Sequence, residues 1–460
     1  MHPAASTAKS SILNPTRHLS PTVSFYLLAS ITVSFLAGSS APTPLYPLYQ
    51  SLWGFSPVTL TIIFGVYALA VLAALLVAGR LSDHLGRRPV LIAAAIGQAV
   101  VMLLFATSES VSGLLVARII QGVTTGTAIG AVGAAMIDLD KGRGAVANAV
   151  APPFGTALGA LMGGIFLQYL PAPTHLVYAV LAAIFIAQAL GLTLMKESIS
   201  AQAGVLESLK PRLNLPRAAR EPLLLAVPIL LSVWALAGFY GSLGPMLIRG
   251  MMNSRSPVLG GLALFVLAAS AGISVLMLQT RTPREMMLLG AGSLFAGVAL
   301  TVFALPHGAI VLFLLGTTVA GIGFGAGFQG AVRTVIPFAA PHERAGTLSV
   351  IFIISYLAMG VPAVVAGSLL ARHANIIAVA QGFSAVVMAL AAAVLLGAAR
   401  RANGVEATPS VELTEQNQVR ISRRYAPNLR GRCDPVLGLT EQSQVRSSCP
   451  APGPSIARRC

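Results

Sequence analysis

Long apolar runs separated by short polar breaks make up most of this chain. Twelve such runs occur at approximately 22–46, 58–79, 89–107, 111–137, 145–169, 175–195, 222–248, 257–279, 286–304, 308–336, 346–371 and 376–399. Each is close to or above the roughly 20 residues that carry a helix across the hydrocarbon core, where every backbone N–H and C=O must be satisfied within the segment. The pattern predicts an all-α integral membrane protein of twelve transmembrane helices. An even number of spans puts both chain ends on one side.

The longest polar break inside the apolar region, Ser198 to Arg220, divides the spans six and six. It carries Lys210, Arg212, Arg217 and Arg220, and Pro211 and Pro216 prevent one long helix. The chain is therefore expected to comprise an N-terminal segment (1–21), a six-helix bundle (22–197), a linker (198–221), a second bundle (222–399) and a polar tail (400–460). The linker reads either as a segment lying on the membrane surface or as a plain tether. Glycine-rich stretches recur between the halves. Gly122-Val123-Thr124-Thr125-Gly126 aligns with Gly321-Ile322-Gly323-Phe324-Gly325 at an offset of 199, and Gly38-Ser39-Ser40-Ala41-Pro42 aligns with Gly241-Ser242-Leu243-Gly244-Pro245 at an offset of 203. Nearly equal offsets point to two parallel bundles around a central cavity.

Charge sets the orientation. Only 10% of the residues are charged against 55% hydrophobic, and the net charge is +16. A water-solvated fold of this length would carry about a quarter charged residues. The basic excess does not indicate nucleic acid, because it is confined to short loops and one tail. Arg80, Arg87, Arg88, Lys141, Arg143, Lys196, Arg281, Arg284 and Arg344 fall in loops of one side, whereas the other side has Arg249, Arg255 and Arg372. Lys and Arg accumulate in loops that are not translocated, so both termini are expected in the cytoplasm of a multi-pass protein of the cell membrane, the inner membrane if the source is bacterial. The first run does not read as a cleaved signal peptide, since Pro42 follows its small residues and eleven further spans come after it. Cys433, Cys449 and Cys460 all lie in the tail, so no disulfide or metal framework supports the apolar body. The tail contains a repeat, Leu413 to Arg420 recurring as Leu439 to Arg446, and is expected to be disordered.

The loop between the second and third runs reads Gly79-Arg80-Leu81-Ser82-Asp83-His84-Leu85-Gly86-Arg87-Arg88. It resembles the signature G-x-L-x-D-x-x-G-R-[KR] of the major facilitator superfamily, with Gly79, Leu81, Asp83, Gly86, Arg87 and Arg88 in register. The resemblance covers about residues 20 to 400 and implies a secondary transporter working by alternating access. It also implies a conformational latch built from this loop, with Asp138 at the end of the fourth span as a partner for Arg87. A loop of this charge that only sets topology, and a solvated Asp138, are the plainer alternatives. Arg118-Ile119-Ile120-Gln121-Gly122 resembles the family's R-x-x-Q-G motif in the fourth helix. An arginine this deep in a span costs about 2.5–3.5 kcal/mol on lenient scales. Arg118 should therefore face a watery cavity or a partner, with Gln121 one turn away, unless it snorkels to the interface. Gly122, Gly126 and Gly130 form a small-residue stripe suited to close helix packing.

In the fifth run, Gly155, Gly159, Gly163 and Gly164 resemble the G-x-x-x-G-P-x-x-G-G motif of proton-coupled drug antiporters, with Ala160 where proline is usual. Generic helix packing accounts for these glycines equally well. No Asp, Glu or His lies in the middle third of any run, so the usual buried proton carrier is not visible. Ser39, Tyr67, Asn148, Trp234, Tyr240, Gln329 and Tyr356 could line a mildly polar, aromatic cavity suited to uncharged or amphipathic organic molecules. No phosphate loop, catalytic constellation, metal site or cofactor motif stands out. These readings converge on proton-coupled export of small organic or drug-like molecules by a monomer in the lipid bilayer. Proton-coupled or facilitative uptake of a metabolite is the alternative within transport, and a non-transporting sensor or scaffold the alternative outside it.

Overall fold

The computed structural model describes residues 18–200, 202–211, 213–252 and 256–406. Lys9, Arg17, Arg212, Arg255, the repeat of the tail and its three cysteines lie outside the described residues.

Twelve helices are long and apolar enough to span a membrane. They are α1 (Pro21–Ser40), α2 (Pro57–Ala78), α3 (Arg87–Ala106), α4 (Val111–Leu139), α5 (Lys141–Tyr169), α6 (Pro173–Thr193), α7 (Arg217–Met252), α8 (Pro257–Leu278), α9 (Pro283–Ala304), α10 (Ile310–Val335), α11 (Arg344–Ala371) and α12 (Ile376–Glu406). Several begin at Ser-Pro or Thr-Pro, where the hydroxyl caps the first turn and proline gives up an N–H that has no intrahelical partner. Ser20 Oγ accepts from Val23 N at 3.3 Å, Ser56 Oγ from Thr59 N at 3.2 Å, and Thr282 Oγ1 from Glu285 N at 3.3 Å. Glu285 returns a bond from the Thr282 N–H and so closes a capping box.

Several boundaries differ from expectation, and α12 runs to Glu406, past the expected end at 399 and into the stretch read as polar tail. The first span does not run unbroken to 46: α1 ends at Ser40, a 3₁₀ turn spans Thr43–Leu45, and a short helix continues over Tyr46–Trp53. The prolines at 42, 44 and 47 cause this, because each removes a backbone donor. α7 begins at Arg217 rather than 222, directly after Pro216.

The repeated glycines mark one helix crossing used twice. A Cβ on Gly122 would lie 2.8 Å from Tyr67 O, and one on Gly126 would lie 2.6 Å from Val71 O, so α4 crosses α2 at backbone distance. In the second half a Cβ on Gly321 would collide with Leu267 O and one on Gly325 with Ala271 O, so α10 crosses α8 in the same way. Two six-helix bundles result.

They meet chiefly along α2 with α11 and α5 with α8. The loop at 79–88 defines one face of the molecule. Toward the opposite face the halves bond directly: Ser256 Oγ donates to Gln168 Oε1 at 2.6 Å, and Thr43 Oγ1 donates to Gly241 O at 3.2 Å. On the motif face the linker joins them. Gln202 N donates to His84 O at 2.8 Å, and Asn214 Nδ2 donates to Glu343 Oε1 at 3.4 Å.

Candidate functional site

Arg118 is the largest fully buried side chain among the described residues. Its surroundings follow from the break in α1. Pro42 has no N–H to offer Gly38 O, and Gln121 Nε2 supplies the missing donor at 3.0 Å. Arg118 Nη1 donates to Ser39 O at 2.8 Å and to Gln121 Oε1 at 2.6 Å, and Nη2 donates to the Tyr46 hydroxyl. The rings of Tyr46, Tyr67 and Phe105 surround the guanidinium, with centroids 5.5, 5.3 and 5.4 Å from its central carbon. The pair from the R-x-x-Q-G stretch thus seals the end of α1 onto α4. The guanidinium is enclosed by rings and carbonyls rather than open to a watery cavity, and among the described residues no carboxylate bonds it. Its Nε has no hydrogen-bond partner among the described residues.

The polar interior continues into α3, a part the sequence reading missed. Gln98 Nε2 donates to Thr125 Oγ1 at 2.7 Å, and both side chains are fully buried. The Tyr67 hydroxyl lies beside Ser39 and Thr125. A lone amide in the apolar run of α3 was the signal for Gln98. Tyr46 gives none, since the pattern makes it the last position of the first apolar run.

The motif loop forms a second polar center. Arg87 pairs with Asp83 and with Asp138, the latter through Nε at 3.3 Å, and donates to Ser82 Oγ at 2.7 Å. Every one of these partners belongs to the first half. A residue the sequence reading passed over completes the center. Glu197, just beyond α6, accepts from the N–H groups of Arg87 and Arg88 at 2.9 and 3.0 Å and caps the start of α3. Ser198 Oγ adds a bond to Asp138 Oδ2 at 3.1 Å. Gly86 makes this possible: its φ is +100°, and a Cβ would lie 2.7 Å from Glu197 Oε2.

The remaining glycines divide by partner. Gly155 and Gly159 pack against the backbone of α1 at Val33 and Ala37, and Gly163 against Ala41 just past its end. Gly164 faces α8, where a Cβ would lie 3.0 Å from Val258 Cα, and Gly130 lies against Gly79.

The candidate cavity residues separate similarly. Tyr67, Trp234 and Tyr356 come together where the halves meet. Trp234 lies 5.3 Å from Tyr356, 5.5 Å from Phe328 and 6.0 Å from Phe324, ring center to ring center. Both phenylalanines escaped the sequence reading, being ordinary apolar positions of α10. Three others point into their own bundles. The Ser39 hydroxyl donates to Leu36 O at 2.8 Å, Asn148 Nδ2 to Gly133 O at 3.0 Å, and the Tyr240 hydroxyl shares a 3.0 Å bond with Thr317. Gln329 is half-buried on α10.

Comparison with known proteins fits this architecture. A family model described as the Major Facilitator Superfamily matches residues 28–363. A multidrug resistance protein MdtL of Shewanella oneidensis is 28% identical over 320 residues, covering 66% of this chain and 78% of that protein. The MdtL of Klebsiella pneumoniae is 42% identical over 74 residues, a stretch that spans 19% of that relative's length and 16% of this chain. Among solved structures, a bacterial homologue of the human lysosomal transporter Spinster, inward-facing and occupied, has a TM-score of 0.65 at 15% identity, covering 83% of this chain and 98% of that one. The nucleoside transporter NupG has a TM-score of 0.61 at 12% identity, covering 82% and 99%. These two likenesses concern the fold. With the family model matched over most of its length, the chain belongs to the Major Facilitator Superfamily and is a multi-pass membrane transporter of small molecules.

Proposed function

We propose that this protein exports small organic or drug-like molecules in exchange for protons, as a monomer in the cell membrane with both termini cytoplasmic. The observation that carries the reading is the aromatic cluster of Trp234, Tyr356 and Tyr67 at the junction of the halves, to which no carboxylate among the described residues is bonded. Such a wall suits molecules with an apolar body. The similarity to MdtL proteins supports export of drugs over other cargo, and the R-x-x-Q-G stretch around Arg118 supports coupling. An inside-negative potential of about 100 mV contributes roughly 2.3 kcal/mol per charge moved, close to a fiftyfold concentration ratio.

Sealed vesicles with an imposed pH gradient test this directly. Export requires that a substrate dye move against its gradient while protons move the other way, and that an uncoupler abolish the movement. If the uncoupler instead lowers uptake that the protein had raised, proton-coupled uptake takes the place of export. No movement for any compound, in correctly inserted protein, leaves a sensor or scaffold.

The Arg87 center acts in this reading as a latch whose value lies in favoring one of two conformations. Arg87→Ala or Asp83→Asn is expected to lower turnover by about tenfold with insertion intact. The charge exchange Arg87→Asp with Asp138→Arg should restore part of it. Normal turnover in both single variants would dispose of the latch.

A further inference from the structure

Two buried hydrogen-bond donors, on α7 and α11, find no acceptor among the described residues. They are Trp234 Nε1 on α7 and Ser355 Oγ on α11, the latter in a fully buried side chain next to Tyr356. Folding normally leaves few such groups, because a buried donor without a partner costs more than a made bond returns. Serines elsewhere in these helices solve the problem locally: Ser232 donates to Pro228 O at 2.8 Å and Ser242 to Gly238 O at 2.7 Å. Ser355 does not. The indole ring itself is enclosed by Phe324, Phe328 and Tyr356.

A positive charge lies against this cluster. Tyr67 packs with Tyr356 on one side and lies over the Arg118 guanidinium on the other, 5.3 Å from its central carbon. Arg118 has no ion-pair partner among the described residues, where the ion pairs are those of Arg87. A cation entering the cluster would thus meet the field of an unbalanced positive charge in a low-dielectric setting and find no carboxylate to offset it. Aromatic faces attract cations on their own. Here the buried N–H and the arginine work against that attraction, and favor an electron-rich acceptor.

Resting on the export reading, we infer that the substrate site is this cluster and that it selects planar, uncharged aromatic molecules bearing a hydrogen-bond acceptor, which Trp234 Nε1–H engages. Three probes of nearly one shape separate the contributions: acridine, with a ring-nitrogen acceptor and neutral at mildly alkaline pH; anthracene, without an acceptor; and N-methylacridinium, a fixed cation. Binding is read by probe fluorescence in nanodiscs holding the full chain, with empty nanodiscs subtracted. Acridine is expected to bind roughly threefold to tenfold tighter than either of the others, the range of one net hydrogen bond. Trp234→Phe keeps an aromatic ring and removes the N–H. It should bring acridine and anthracene within about twofold of each other while leaving anthracene unchanged.

Equal affinities, a preference for N-methylacridinium, or an acridine preference that survives Trp234→Phe would each overturn the inference. Equal affinities or a preference for the cation in the unaltered protein overturn the inference even if the variant does not fold. If the ranking holds and acridine is not moved across vesicles, the site stands and the transport reading fails. If other compounds are transported without any acridine preference, transport stands and this assignment falls.

Discussion

Helices α4 and α10 occupy equivalent places in the two halves and share a backbone frame, yet their chemistry differs. Shifted by the offset of 199 that aligns their glycines, Arg118 corresponds to Thr317, Gln121 to Ala320 and Thr125 to Phe324. In the first half these positions hold a buried charge and an amide network. In the second, Thr317 shares one bond with the Tyr240 hydroxyl, Ala320 packs without a polar group, and Phe324 stands beside Trp234. Close glycine crossings need no particular side chains around them, so the frame could be kept while one interior became polar and the other aromatic. The helix breaks tell the same story. Pro42 frees Gly38 O, which Gln121 serves from within the half; Pro245 lacks the N–H that would serve Gly241 O, and Thr43 serves it from across the junction. One repeat seals itself, and the other is sealed by its partner.

The sharpest way to break this comparison is to remove the charge. Arg118→Met would strip Ser39 O, Gln121 and Tyr46 of a common partner and leave Nε-side packing to a flexible apolar chain. Transport is expected to fall at least about a hundredfold. Arg118→Lys should recover little, because an ammonium cannot reach two carbonyl acceptors and a hydroxyl with one planar fork. Vesicle flux normalized to inserted protein is the measurement; undiminished flux in Arg118→Met would make the site a structural plug and nothing more.

The shared frame predicts the next largest effect, and predicts it twice. Gly126→Val drives a side chain into Val71 O, and Gly325→Val drives one into Ala271 O. Each should lower stability by about 2–3 kcal/mol or more, with backbone rather than a movable side chain in the way. Thermal unfolding in detergent should show comparable losses. A large loss at one position and none at the other would mean that the two crossings do not bear equal weight.

Much of this frame could be read from the sequence because its causes are local. Apolar length sets the spans, Ser-Pro and Thr-Pro set several helix starts, and glycine pairs at equal offsets disclosed the repeated crossing. The motif loop was legible for the same reason, its residues being consecutive and their spacing fixed. What escaped depended on distant segments meeting. Glu197 looks like an ordinary acid beside Lys196, and only the positive φ of Gly86 and the opening of α3 give it two N–H groups to cap. Phe324 and Phe328 are indistinguishable by pattern from helix core, and only the position of Trp234 makes them walls of the junction. Arg118 was conspicuous, but its enclosure was not. The rings of Tyr46 and Phe105 reach it from a proline-broken stretch and from α3.

A smaller effect separates the self-sealed break from the shared one. Thr43→Val removes the donor for Gly241 O and leaves a buried carbonyl in α7 without its bond. The cost should be about 1–2 kcal/mol, and it should fall only on the arrangement in which the face opposite the motif is closed. Amide exchange around Gly241 and Gly244 is therefore expected to quicken while exchange in α3 and α6 stays as it was. Equal quickening in both halves would indicate general loosening and remove the distinction between the two breaks.

The smallest effect belongs to the position equivalent to Arg118. Thr317→Val keeps the volume of the side chain and deletes its bonds to the Tyr240 hydroxyl and to Phe313 O, the latter at 2.8 Å. Hydrogen bonds between membrane helices average about 0.6 kcal/mol, and the Phe313 carbonyl belongs to the same helix, so the loss should stay below about 1 kcal/mol. Tyr240→Phe should cost about as much, and the double variant no more than either alone, since both delete the same bond. Flux should remain near that of the unaltered protein, because the Tyr240 ring stays stacked on Phe313 at 6.1 Å and nothing charged is disturbed. A transport loss in Thr317→Val approaching that of Arg118→Met would show that the second interior carries coupling chemistry too, and the contrast between the halves would have to be drawn elsewhere.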